Sequence, residues 1–383
     1  MRQWFEKYKS IPIQAKASIW FIVCSVLQKG ISVFTTPIFT RLLSVEEYGK
    51  FNVFTSWQGI VAAIVILTLP WGVVEQGIIK YSEKRYEFTS SALGLMTTLT
   101  LIWRSIYLAD CKFWNGLLEL STMQVIALLS ITWSSSVFSF WSINQRVDYK
   151  YKRLVTLTLA VSVLKPLIEV YLILQFEDKV TARIMGWATV EIVAYLALFI
   201  KMMKDGKEYY SLDIWKYVLS FNVTLIPHYL SQRLLNSCDR IMIERMCDAG
   251  DAGVYSLAYS VAMIMLIVNQ AIQSAVNPWI YRKIKDGRTT DIKSVVYPAL
   301  VIVAAANLLL IAFAPEAVRI FAPKEYYDAI WVIPPVAMSV FFMFMYGFFA
   351  NFEFYYEKTK LMSLATCAGA LLNIILNFVC INI

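Results

Sequence analysis

The chain has 383 residues, of which 58% are hydrophobic and 16% are charged, against about 25% charged in an ordinary soluble domain. This composition excludes a water-soluble globule. About eleven spans of about 21 residues would occupy about three-fifths of the chain, which leaves connecting loops and no sizeable soluble enzymatic domain. The formal charge of +8 fits either nucleic-acid binding or basic cytoplasmic loops, so the positions of the charges must decide.

Long apolar stretches predict an all-α, polytopic membrane protein with about eleven transmembrane helices. Six stretches lack acidic and basic side chains and are long enough to cross a bilayer: 51–74, 120–145, 252–281, 294–315, 329–352 and 361–383. Five more are apolar but interrupted by polar residues: 17–40, 89–109, 154–176, 183–203 and 215–236. Unbroken apolar runs are typical of helices, whereas barrel strands alternate polar and apolar residues.

The basic residues predict the orientation of these spans. Loops on the same side as the N-terminus carry 22 Lys and Arg residues, and loops on the opposite side carry ten. The positive-inside rule then predicts a cytoplasmic N-terminus. No inside loop is a dense basic module of the kind that binds a phosphate backbone, so nucleic acid is not an expected partner.

The sequence offers little for catalysis. The six cysteines show no CxxC or Cys/His ligand spacing, and the single histidine lies inside a span, so we expect no metal site and no cofactor. Ser/His/Asp, paired-carboxylate and Gly-rich phosphate motifs are also missing, and no loop appears longer than about 20 residues. A membrane enzyme, such as a glycan polymerase or acyltransferase, is therefore not the favoured interpretation.

An internal repeat predicts two related lobes. Gly49-Lys-Phe51 recurs as Gly253-Val-Tyr255, and Pro70-Trp71 recurs as Pro278-Trp279, at separations of 204 and 208 residues. Parallel repeats of six helices are a transporter architecture. We therefore expect an N-terminal lobe at residues 1–210 and a C-terminal lobe at residues 211–383.

Several stretches in order along the chain resemble the oligosaccharide flippase (polysaccharide export, Wzx-like) family of the multidrug/oligosaccharidyl-lipid/polysaccharide exporter superfamily. They are Phe39-Thr-Arg41-Leu-Leu-Ser44 with Glu46-Glu-Tyr-Gly49, Ile226-Pro-His228-Tyr-Leu-Ser231 with Asp239-Arg240, Gly253-Val-Tyr255, Asn277-Pro-Trp279, Lys324-Glu-Tyr326, Lys358-Thr-Lys360 and Leu372-Asn373 with Leu376-Asn377. The resemblance singles out Arg41, Gly49, Asp239 and Arg240 as family-motif residues.

This resemblance implies a two-lobe flippase in the bacterial inner membrane. Its cargo would be undecaprenyl-pyrophosphate-linked oligosaccharide for O-antigen, capsule or exopolysaccharide synthesis, moved by alternating access. Its partners would be membrane lipids and, beyond them, glycan polymerase and glycosyltransferases. Family members continue with a twelfth helix, so the second lobe, with five helices, is expected to be truncated. The alternatives are a cation-coupled multidrug-type exporter and an inactive remnant.

Charges inside the spans are the candidate binding residues, because each costs at least about 2.5–3.5 kcal/mol in a membrane. Lys29, Arg104 and Lys165 can neutralise a pyrophosphate, although Arg104 can instead snorkel to the interface. Lys165 and Glu169 are spaced i, i+4, which also predicts a structural ion pair. Glu191 either pairs with Lys29 or Lys165 or is a protonatable ion-coupling site, a role that Glu169 can also take.

The remaining candidate is the only histidine. His228 follows Pro227 on a helix that the proline should distort, and it can contact substrate or sense protons there. A hydrogen-bonded, packed histidine is the alternative.

Overall fold

The structure is a computed structural model that describes residues 12–71, 73–356 and 359–382. Within these ranges the chain forms α-helices joined by short 3₁₀ turns and loops, with no β-strand, which confirms the all-α prediction. Nine helical stretches of this described part are long and apolar enough to cross a bilayer. The protein is therefore a multi-pass membrane protein.

The helices are numbered in chain order. They are α1 Ile13–Leu42, α2 Val45–Val65, α3 Val73–Lys80, α4 Arg85–Ala109, α5 Cys111–Leu118, α6 Thr122–Val147, α7 Tyr151–Gln175, α8 Lys179–Gly206, α9 Leu212–Met246, α10 Ala249–Ala262, α11 Met265–Lys285, α12 Lys293–Ala312, α13 Ala314–Phe321, α14 Ala329–Tyr355 and α15 Thr359–Ile381. Single-turn 3₁₀ helices lie at Leu69–Trp71, Ser82–Lys84, Thr289–Ile292 and Lys324–Tyr326.

Two of the predicted spans are not among these nine stretches. The span predicted at 51–74 is wrong beyond Val65, because α2 ends there and both Leu67 and Thr68 adopt a left-handed backbone conformation. Pro70 also disfavours a helical conformation at the residue before it. The span predicted at 215–236 lies within α9, a 35-residue helix in which polar side chains such as Arg233 lower the hydropathy.

The span predicted at 252–281 is interrupted near its middle. Helix α10 ends at Ala262 and α11 begins at Met265. Between them the backbone forms three-residue hydrogen bonds, from Ile264 N to the Val261 carbonyl (3.2 Å) and from Leu266 N to the Met263 carbonyl (3.0 Å). This tighter, 3₁₀-like turn separates the two helices within one hydrophobic stretch.

The described chain divides into two compact units. The first contains Met1–Ser32 and Trp57–Arg233, and in it α8 packs against α4, α6 and α7. A capping box at Ser121 and Gln124 begins α6, and the Gln124 amide donates to Thr181 Oγ1 (2.9 Å) at the start of α8. These bonds align the beginnings of α6 and α8, two of the three helices that contain the candidate site.

The second unit contains Val33–Ser56 and Leu234–Ile383, and in it α14 packs against α10, α11, α12 and α13. Asn269, Gln273 and Asn277 are spaced four residues apart on α11, so they share one face. Their side chains bond two carbonyls of α14 at 3.2 and 3.4 Å and the Asn351 side chain at 2.9 Å. The predicted lobes 1–210 and 211–383 stay a prediction from the repeat.

The two repeated glycines meet within this second unit. A Cβ on Gly49 would lie 1.8 Å from the Ala249 carbonyl oxygen, and a Cβ on Gly253 would lie 2.3 Å from the Val45 carbonyl oxygen. The first turns of α2 and α10 therefore touch backbone to backbone, and only glycine permits this approach at either position.

Candidate functional site

Polar and charged side chains from three helices of the first unit meet in what we term the α6–α8 charge cluster. Its members are Ser134 and Ser135 on α6, Lys165 and Glu169 on α7, and Arg183, Trp187 and Glu191 on α8. The three residues of α8 recur every four positions and the two charges of α7 are also four apart, so each helix presents them on one face. Charges are rare in membrane helices, which makes this cluster the candidate site.

Glu169 forms its ion pair with Arg183. Arg183 Nε lies 3.3 Å from Glu169 Oε2, and the two side chains are 10% and 3% exposed. The predicted Lys165–Glu169 ion pair is therefore wrong, because Arg183 reaches the carboxylate from α8. Arg183 is the first residue of the span predicted at 183–203, but α8 already begins at Lys179, and this additional turn places Arg183 against α7.

Lys165 packs on an aromatic ring. Its Nζ lies 3.5 Å from the centroid of the Trp187 ring, a cation–π contact. Glu169 and Glu191 also interact with it electrostatically. Lys165 is thus half-buried and without an ion pair among the described residues.

Glu191 is held by hydrogen bonds from uncharged groups. Trp187 Nε1 and Ser135 Oγ each donate to it at 2.6 Å, and Ser134 Oγ lies 3.3 Å away. The predicted ion pair with Lys29 or Lys165 is not formed in the described structure. Trp187 lies four residues before Glu191 and was visible in the sequence as a donor, whereas the contribution of α6 depends on the tertiary packing.

The other cations of the spans lie outside the cluster. Lys29 is partly buried midway along α1, and Arg104 is exposed near the end of α4. His228 is partly buried on α9, where its Nε2 lies 3.3 Å from Gln232 Nε2. No described hydrogen bond links these three side chains to the cluster, and their roles in binding stay predictions.

The family-motif residues lie in the second unit. Asp239 accepts a hydrogen bond from the Tyr255 hydroxyl, and Arg240 lies 4.1 Å from the centroid of the Tyr259 ring, so the motif joins α9 to α10. Arg41 donates from Nη1 to the Pro37 carbonyl (2.8 Å) and from Nη2 to the Ile320 carbonyl (3.0 Å). These contacts fix helix ends, and Gly49 permits the close approach described above.

The arrangement is suited to holding charge inside a membrane. In the described ranges no group of three or more His, Cys, Asp or Glu residues is placed to hold a metal ion. The cluster combines the Glu169–Arg183 ion pair, the hydrogen-bonded carboxylate of Glu191 and the ammonium of Lys165 on the Trp187 ring. A cation on an aromatic ring is chemically suited to an anionic or sugar-bearing group.

Comparison with known families identifies two models that match this chain. The model described as "Polysaccharide biosynthesis protein" matches residues 15–284, which is more than half of the chain and includes the whole α6–α8 charge cluster. The model described as MatE matches residues 225–379.

One known protein is similar to this chain in sequence, and solved transporter structures are similar to it in fold. A protein of the Lsg locus of Haemophilus influenzae is 26% identical over 369 residues, covering 91% of this chain and 86% of its own length. An inward-facing multidrug resistance MATE family transporter of the MOP superfamily superposes with a TM-score of 0.64 at 14% identity, covering 90% of this chain and 84% of its own. A MOP superfamily transporter from Pyrococcus furiosus, whose binding pocket is described as of reverse polarity, gives 0.52 at 13% identity over 97% and 95%.

Proposed function

The chain belongs to the polysaccharide biosynthesis protein family, and from this premise we propose that it is a flippase for undecaprenyl-pyrophosphate-linked oligosaccharides. The fold is that of MOP superfamily exporters, so transport by alternating access is the mechanism we propose. The match to the family model across residues 15–284 is the observation that supports this function most strongly. The cargo would serve O-antigen, capsule or exopolysaccharide synthesis in the bacterial inner membrane.

The cargo poses a physical problem that the charge cluster is suited to solve. A prenyl tail is stable in hydrocarbon, whereas a pyrophosphate and sugars are not, so the transporter must offer them polar partners. Lys165 carries a positive charge without a direct ion pair, and it lies on Trp187, a ring of the kind that stacks on sugars. We propose that this couple contacts the pyrophosphate or the first sugar.

Glu191 is the proposed ion-coupling residue. Its donors, Trp187 and Ser135, are uncharged, so no direct ion pair has to break when the carboxylate takes up an ion. Glu169 is less suited to this role, because Arg183 already neutralises it. We therefore propose that Glu191 can be with or without a bound ion while the side chains around it stay in place.

A multidrug-type exporter is the second candidate. The MatE match at residues 225–379 and the MATE structures with the same fold support it. A carboxylate such as that of Glu191 would favour cationic drugs as cargo, whereas the ammonium of Lys165 would favour the anionic cargo of a flippase.

Complementation separates the two functions. The full chain is expressed in a host that lacks its own oligosaccharide flippase, and surface polysaccharide is measured together with resistance to cationic drugs. The flippase proposal predicts restored polysaccharide and unchanged drug resistance. Increased resistance without polysaccharide, at a confirmed protein level in the membrane, supports the multidrug exporter instead.

A further inference from the structure

Four helix ends of the first unit enclose a small cavity on the side where the positive-inside rule predicts the cytoplasm. The cavity of about 90 Å³ is lined by residues of α4, α6, α7 and α8, and it has room for several waters or one phosphate group. Its charged lining, termed the basic pocket, consists of Arg85, Lys150, Arg153 and Lys201 together with Asp148 and Asp205. The cations therefore outnumber the carboxylates.

Arg85 is the fixed centre of this pocket. Its Nε donates to Asn144 Oδ1 (3.1 Å), its Nη2 donates to the Asn144 carbonyl (3.1 Å), and its Nη1 bonds Asp148. A guanidinium has five N–H donors, so two remain. Arg85 is thus held rigidly by protein groups and still has donors for a further acceptor.

The turn after α6 places a second cation beside Arg85. Tyr149 adopts a left-handed conformation, and Lys150 N bonds the Gln145 carbonyl at 2.8 Å, which closes the end of α6 tightly. Lys150 Nζ then lies 2.6 Å from Asp148 Oδ2. Asp148 is shared between two cations, so it cancels only part of their charge.

Arg153 and Lys201 complete the lining with charge that no described carboxylate neutralises. Both side chains are exposed, and neither forms a hydrogen bond or ion pair with another described residue. Two like charges repel each other, yet Arg153 and Lys201 both line the same cavity. Converging cations with spare donors are the usual arrangement for phosphate groups.

We propose that the basic pocket binds a phosphate group, and that its source is the headgroup of an anionic membrane phospholipid. The pocket lies at the ends of four helices that are long and apolar enough to cross a bilayer. Lipid phosphates lie at the ends of such membrane-spanning helices. This site is separate from the α6–α8 charge cluster and does not depend on the proposed transport function.

The test uses the purified full chain in detergent with phosphatidylglycerol or phosphatidylcholine added, and native mass spectrometry counts the bound lipid. The pocket variant is Arg153→Gln with Lys201→Gln, neither of which removes an ion pair of the fold. The control variant is Lys152→Gln with Lys204→Gln, which lowers the charge equally at neighbouring exposed positions outside the pocket.

The wild-type chain and the control should bind phosphatidylglycerol about thirtyfold better than the pocket variant does, which corresponds to about 2 kcal/mol for the two cations that the variant removes. Equal loss in both variants, or loss in neither, overturns the proposal. Millimolar inorganic phosphate is the second arm. If it raises the melting temperature of the wild type but not of the pocket variant and no lipid is retained, the pocket binds phosphate, and the phospholipid headgroup as the source of that phosphate is overturned.

Discussion

At the scale of single residues, Glu169 and Arg183 form a buried ion pair between α7 and α8, and Lys165 lies against the ring of Trp187. Lys165, Glu169 and Glu191 were found because they interrupt apolar runs. Arg183 was missed because it lies near the end of such a run, where hydropathy cannot separate a loop from a first helical turn. The choice of Arg183 over Lys165 as the partner of Glu169 depends on how α8 packs on α7.

The Glu169–Arg183 pair gives the first residue-scale prediction. Arg183→Ala leaves a buried carboxylate without its cation and should lower the free energy of unfolding by about 3–5 kcal/mol. Arg183→Met with Glu169→Gln removes both charges and should cost much less. Thermal melting of the purified variants measures this difference. Equal destabilisation by the single and the double variant would show that the ion pair is not the source of the effect.

Lys165 gives the second prediction. Lys165→Ala should lower polysaccharide export about tenfold to a hundredfold if its ammonium contacts a phosphate, because hydrogen bonds to charged groups contribute about 1.5–3 kcal/mol. Lys165→Arg should keep part of the export, because the charge is retained. Export is measured at equal membrane protein level, with Lys204→Ala, an exposed cation at the end of α8, as the control. Normal export by Lys165→Ala would remove Lys165 from the site.

At the scale of helices, the sequence predicted most spans within a few residues, and the differences lie where the backbone changes direction. Periodicity and apolar length define α6, α7 and α8 well. They do not reveal the left-handed residues Leu67 and Thr68 or the 3₁₀ turn after Ala262, because neither carries a glycine or a proline at the bend itself. Such breaks are decided by packing between helices.

The contact between α2 and α10 gives a prediction for repeated elements. Gly253→Ala places a Cβ against the Val45 carbonyl and should force the two helices apart, with a cost of about 1–3 kcal/mol for overpacking. Gly369→Ala is the matched control, since no atom lies within 4 Å of its added Cβ. Melting temperatures of both purified variants measure the effect. A Gly253→Ala chain as stable as the control would contradict the close packing.

The ion pair between Arg85 and Asp148, which links α4 to α6, should make the free energy of unfolding depend on pH in the acid range. The hydrogen bond from Arg85, with a further contribution from Lys150, lowers the pKa of Asp148 below its ordinary value of 3.8. A lowered pKa in the folded state means that the stabilisation is complete above pH 3.8 and is lost as the pH falls through the folded pKa. Melting temperatures of the wild type and Asp148→Asn should therefore differ at pH 6 and converge as the pH falls through the lowered pKa of Asp148 in the folded state. A difference that is independent of pH would contradict this.

At the scale of the whole molecule, composition and apolar runs were sufficient to predict an all-α, multi-pass membrane protein, and the spread of short motifs was sufficient to predict the family. The specific cargo is a different kind of property. It depends on which side chains face the transport path in each conformation, and the roles of Lys29, Arg104 and His228 in binding therefore stay predictions.

The central claim is that this protein moves lipid-linked oligosaccharide across a bilayer, and transport by the purified chain tests it most directly. The full chain is reconstituted into vesicles that contain an undecaprenyl-pyrophosphate oligosaccharide with a fluorescent sugar, and a membrane-impermeant quencher reports which leaflet holds it. If the protein is a flippase, the labelled oligosaccharide of the inner leaflet, which is protected from the quencher, should become accessible to it with wild-type protein and much more slowly with Lys165→Ala. Accessibility no faster than in protein-free vesicles, with correctly inserted protein and an imposed proton gradient, would contradict it.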